Sequence, residues 1–209
     1  MKKQGYKVFV IVCLIYVFYV AIVNLVLNPD AGEFLSHKVD QLKQPNPSVW
    51  LTVLHIHVWF SCLAMISGAI NFSSFMYNRH RKYHKRNGYA FVFFVAGVSL
   101  TAGYMAPYST GGKLSSIGFN LTSIIWLTIT VMAIVHIRRK RMDQHRSFMI
   151  RSYAFCFTNL FVHLISKLLN DGFGMQYETS YTAGVYGAIA ANLLVAEVVI
   201  RYGKRGRAH

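Results

Sequence analysis

Acidic residues are what this sequence has least of. Of 209 residues only seven are Asp or Glu, against 22 Lys and Arg, and charged residues of both signs make up 14%. A soluble domain normally carries about a quarter charged residues. Only Glu197 of the seven acids falls inside a long apolar run, so the paired carboxylates of a membrane hydrolase have nowhere to come from. Cysteine is equally sparse. Cys13, Cys62 and Cys156 stand alone, without C-x-x-C or C-x-x-C-H spacing, which excludes c-type haem attachment and a structural zinc site; they read as small buried apolar side chains. A glycine-rich phosphate loop and a G-x-S-x-G elbow are also missing. Nothing here resembles a soluble catalytic domain.

What the chain has in abundance is apolar sequence, at 54% of all residues with a mean hydropathy of +0.35. It is gathered into six runs, near 7–27, 50–75, 89–107, 117–137, 148–169 and 181–201. Each is close to the roughly 20 residues a helix needs to cross a hydrocarbon core. The expected fold is therefore all-α: an integral membrane six-helix bundle, with residues 1–209 forming a single transmembrane domain. The basic N-terminus followed by an apolar run is similar to a secretory signal. Its apolar part is too long, however, and "VLNPDAGE" offers no obvious cleavage site. We read it as the first span.

Lys and Arg are distributed one-sidedly. Lys2, Lys3 and Lys7, five residues in "RHRKYHKR" (79–86), five in "RRKRMDQHR" (138–146) with Arg151, and Arg201, Lys204, Arg205 and Arg207 all fall on one side of the six-span scheme. The other side keeps Lys38, Lys43, Lys113 and Lys167. Basic loops are retained in the cytoplasm during insertion, so both termini are expected there. The same placement removes nucleic acid as a partner. The net charge of +15 is topogenic, with some attraction to anionic lipid heads.

One long connection joins the first two spans. Asp30 can cap a helix with Glu33 in capping-box spacing, and Leu35, Val39 and Leu42 share a face. This predicts a short amphipathic helix over 31–43, lying on the outer surface and delimited by Pro29, Pro45 and Pro47. His37 and His209 read as solvated residues without a role.

The spans themselves are not purely apolar. In the fifth, Ser152, Cys156, Asn159, His163, Ser166 or Lys167, and Asn170 recur every three or four residues, forming one helical stripe. Polar groups turned to lipid cost several kcal/mol each, so the stripe is expected to face the interior. In the second span His55 and His57 lie on opposite faces. His57 leads a small-residue surface with Ser61, Ala64 and Gly68 that suits close helix contact. His55 and His163 lie at one depth, about 8–10 Å beneath the outer boundary at about 1.5 Å per residue. Two histidines so placed can be the axial ligands of a b-type haem. They can equally hydrogen-bond to each other, to Asn159 or to Asn192 of the sixth span, or form a proton or substrate site.

A second group gathers at the inner side. His84, His136 and His145 are weaker candidates for a second haem or a proton-entry site, while His80 reads as sitting among phosphate head groups. Arg151 and Glu197 lie at similar depth in the fifth and sixth spans, and an unpaired charge there would be costly. An ion pair between them is expected.

Four stretches carry a resemblance: "LH" at Leu54–His55, "HKRNGYAF" (84–91), "HRSFMIRSYA" (145–154) and "NLLVAE" (192–197). They are similar to the motifs of a bacterial family of multi-spanning membrane proteins of unknown function, over roughly 50–200. That pattern usually has Tyr where Phe91 stands and an Arg near His163; the second departure counts against a haem site shared by the family. The resemblance implies a bacterial cytoplasmic membrane and supplies no substrate. The function expected is that of a non-hydrolytic membrane protein. Its polar track, His55–Asn159–His163 with Asn192 on one side and His145–Arg151–Glu197 on the other, would bind a small ligand, a proton or haem b. Electron transfer through haem is the sharpest version. The alternatives are a small-molecule or proton transporter, or an assembly partner in a larger membrane complex.

Overall fold

In the computed structural model, the described residues are 3–32 and 46–205, and among them every regular element is helical. Six helices are long and apolar enough to cross a membrane: Gln4–Leu27, Pro47–Asn71, Arg81–Tyr108, Gly112–Arg138, Met142–Gly172 and Tyr177–Gly203. Five of the six runs marked on the sequence fall within these helices, and the second, 50–75, overruns its helix by four residues. The surface helix expected over 31–43 lies outside the described residues from Glu33 on, as do His37 and His209. The chain divides into two compact units, the first ending at Thr101 and the second running from Ala102.

The first unit begins with α1 (Lys3–Ile22), extended by a wider π-type turn to Leu27. Apolar all round, α1 contacts α2 (Pro47–Asn71) through few side chains: Tyr6 Oη donates to the Ala69 carbonyl at 3.0 Å, and Phe9 meets Phe72 edge-on. The start of α2 is set by Asn46, whose side chain accepts from the Ser48 amide, and by Pro47 in the first turn. Its end comes earlier than the hydropathy suggests. Ser73 caps a separate short helix, α3 (Ser74–Arg79), by accepting from the Met76 amide, so the run to residue 75 is split at Phe72–Ser73. Nor is the basic stretch 79–86 a loop. From Arg81 it forms the first turns of α4 (Arg81–Met105), as expected of good helix formers such as Arg and Lys. Asn87 then ties α4 to α2 by donating to the Ser67 carbonyl at 2.7 Å and to Asn71 Oδ1 at 2.9 Å.

The second unit holds α5 (Gly112–Arg138), α6 (Met142–Ala154), α7 (Thr158–Lys167) and α8 (Tyr177–Arg205). Gly111, at φ +84°, starts α5 where a Cβ would collide with Thr182 Oγ1; beside it Ser115 and Thr182 share a 2.8 Å hydrogen bond. Gly184 lets α8 approach the α7 backbone, since a Cβ there would stand 2.7 Å from the Val162 carbonyl oxygen. That close approach builds the core of Val162, Tyr181, Val185 and Ala188, flanked by Phe119 and Phe161. At the other end of α5, Lys140 takes a left-handed φ of +58°. The Arg141 amide bonds to the His136 carbonyl and the Lys140 amide to that of Ile137, a Schellman stop normally built on glycine.

The fifth span is not one uniform helix. Between α6 and α7 the chain tightens into a 3₁₀ turn at Phe155–Phe157, and after α7 it widens into a π-type turn at Leu168–Gly172. In a 3₁₀ turn residues three apart eclipse. The inward column therefore runs Ser152, Phe155, Thr158, Val162, Ser166.

Candidate functional site

The motif residues of α6 are held by specific bonds to its neighbours. His145 donates from Nδ1 to the Ala133 carbonyl of α5 at 2.8 Å. Ser152, fully buried, accepts from Trp126 Nε1 at 3.2 Å and shares a 2.7 Å bond with Thr130 Oγ1. Thr130 sends its own proton to the Trp126 carbonyl at 2.7 Å, so the Ser152 hydroxyl donates to Thr130 and the group closes on itself. Arg151 Nε lies 2.6 Å from Glu197 Oε1 of α8, the ion pair expected from the sequence. Its guanidinium also rests over the Phe148 ring, 5.0 Å from the centroid, where the ring face attracts the cation. Asn192, fully buried, donates from Nδ2 to Thr158 Oγ1 at 2.9 Å. Thus "HRSFMIRSYA" and "NLLVAE" form a lattice joining α5, α6, α7 and α8.

Buried atoms are left over in this unit, two of them beside the lattice. Asn192 Oδ1 and Ser166 Oγ have no hydrogen-bond partner among the described residues, and an unmet buried acceptor costs about 1–3 kcal/mol.

The polar stripe departs from expectation. Asn159, His163 and Lys167 are exposed, not turned inward, because the 3₁₀ turn hands the inward column to Thr158 and Val162. His163 meets the Tyr181 ring edge-on at 6.3 Å, and Asn170 donates to the Met175 carbonyl at 2.7 Å. Asn192, offered on sequence as a partner of the histidines, is committed to Thr158.

The remaining histidines differ in setting. In the first unit His55 donates from Nε2 to the Pro29 carbonyl at 3.0 Å. His57 pairs through Nδ1 with Thr101 Oγ1 at 2.9 Å, binding the small-residue face of α2 to α4. His84 meets the Tyr77 ring edge-on at 5.6 Å. In the second unit His136 is buried against Phe148 at 4.9 Å, with Nδ1 lacking a hydrogen bond among the described residues. Among the described residues no three His, Cys, Asp or Glu converge to hold a metal ion.

Sequence reading missed Trp126, Thr130, Thr158 and Pro29 as partners. A signal existed for α5: Thr122, Trp126 and Thr130 recur at four-residue spacing, and all three are buried. Pro29 had none, because it acts through its carbonyl.

Six apolar helices with polar contacts between them define an integral membrane protein. The chain belongs to the family described as "Predicted membrane protein (DUF2306)", whose model matches residues 54–200. No curated protein and no solved structure matches it.

Proposed function

We propose that this is a multi-pass protein of the bacterial cytoplasmic membrane, both termini inside, which handles a small polar solute or a proton along Asn159, His163 and Lys167. The observation that carries this reading is the exposure of that column on α7, beside the exposed apolar Leu160 and Leu164. In hydrocarbon such groups need water, a ligand or a partner. Lys and Arg placement supports the orientation. Reporter fusions after Lys113 should then read outside, and fusions after Arg86 and Arg141 inside; an inside signal at Lys113 would sink the topology.

The function is tested by single cysteines at 159, 163 and 167, in protein whose three native cysteines are replaced, against cysteines at the exposed apolar neighbours Leu160 and Leu164. A membrane-impermeant thiol reagent should label the column and spare the neighbours. Equal protection at all five positions would instead mean a partner helix covers the column, and the protein would be an assembly subunit.

Haem b with electron transfer is the second reading, favoured by one feature: His163 makes no hydrogen bond among the described residues. For His55 a haem iron would have to displace the Pro29 bond, since a ligating nitrogen must give up its proton. A reduced-minus-oxidised α-band, from protein expressed with adequate haem, would restore this reading. Colourless protein would remove it.

A further inference from the structure

At the junction of α3 and α4 the chain forms an open cavity of about 560 Å³, lined by Arg79, Arg81, Lys82, Arg86, His80 and Tyr83 among others. No acid lines it, and none of its four cations is ion-paired among the described residues. It is shallow and open, and every residue that lines it is exposed. Its place in the fold is specific. Its lining runs from the connection after one candidate span, which ends at Asn71, into the polar first turns of the next, which starts at Arg81, where the apolar run gives way to basic residues and lipid phosphates are met. Phe75, Tyr77 and Tyr83 are exposed around it, and aromatic rings favour that interface. Unpaired cations held together in a concave surface repel one another until an anion neutralises them. Arginine forks match phosphate oxygens in pairs.

We propose that this cavity is a binding site for a phosphate-bearing anion, presented at the head-group level of the membrane. It shares no residue with the α7 column and does not depend on that column's function. Three arginines and a lysine suit a group with two or more negative charges, such as a diphosphate or a lipid carrying two phosphates, better than a single zwitterionic head.

The test uses the full-length protein, purified and delipidated in detergent. Cardiolipin, phosphatidylglycerol and phosphatidylcholine are titrated in turn, and bound lipid is read by native mass spectrometry. Cardiolipin should bind more tightly than phosphatidylglycerol, and phosphatidylcholine least. Arg79→Gln and Arg86→Gln should each weaken cardiolipin binding roughly fivefold, whereas Arg138→Gln/Arg139→Gln, in the other basic turn, should leave it unchanged. The charge-preserving triple variant Arg79→Lys/Arg81→Lys/Arg86→Lys keeps the topogenic charge and should still bind more weakly, because the forks are lost. Inorganic pyrophosphate separates the sources: displacement of cardiolipin by it assigns the site to a soluble phosphate compound, and failure to displace assigns it to lipid. Equal weakening by the Arg138/Arg139 control would overturn the proposal, as would unchanged binding in the Lys triple variant or equal binding of phosphatidylcholine.

Discussion

The two halves of the fifth span make opposite use of polar residues. In α6, Ser152 and Arg151 reach partners on α5 and α8, and His145 finds a backbone carbonyl. In α7, Asn159, His163 and Lys167 point away from the packed core. The same residue chemistry therefore serves cohesion in one half and leaves an open face in the other, with three residues of 3₁₀ turn between them. A polar residue in an apolar helix is a functional candidate by default. Here the useful distinction is whether its hydrogen bonds are already spent.

That contrast is sharpest in stability. Removing either partner of the Arg151–Glu197 pair takes the 2.6 Å contact from the other, and breaking a buried pair costs about 3–5 kcal/mol. With Glu197 41% exposed at its side chain, Arg151→Ala or Glu197→Ala should fall at or below the low end, about 3 kcal/mol. The double variant should be milder than the singles summed. Strict additivity in a detergent unfolding cycle would dissolve the pair.

Ser152→Ala comes next. It leaves the buried Trp126 Nε1 without an acceptor and Thr130 without its donor, a loss of about 1–3 kcal/mol by the same assay. Asn159→Leu and His163→Leu, by contrast, should change stability by no more than about 0.5 kcal/mol, because neither residue supports the lattice. A loss as large as that of Ser152→Ala would erase the difference between the halves.

The last expected effect has the opposite sign. Lys140 holds a left-handed conformation that costs an L-residue energy and glycine almost none. Lys140→Gly should stabilise the second unit by about 0.5–1 kcal/mol. Destabilisation in the unfolding assay would mean the Lys140 side chain contributes more than its backbone costs.

Apolar content, run length and the placement of Lys and Arg suffice to mark six spans and to suggest an orientation, because lipid demands an apolar helix of nearly constant length whatever it packs against. Local chemistry also makes the Arg151–Glu197 pair legible: two opposite charges at one depth in adjacent apolar spans have few other ways to be neutralised. The inward column of the fifth span is different. It turns on a 3₁₀ turn at Phe155–Phe157 that no residue type announces, and on the buried faces of α5 and α8 that receive Ser152, Thr158 and Val162. An α-helical period carried through that turn selects Cys156 and Asn159, one column aside. The backbone partners of His55 and His145 were hidden for a related reason. A carbonyl is present at every position, and only packing decides which one a side chain meets.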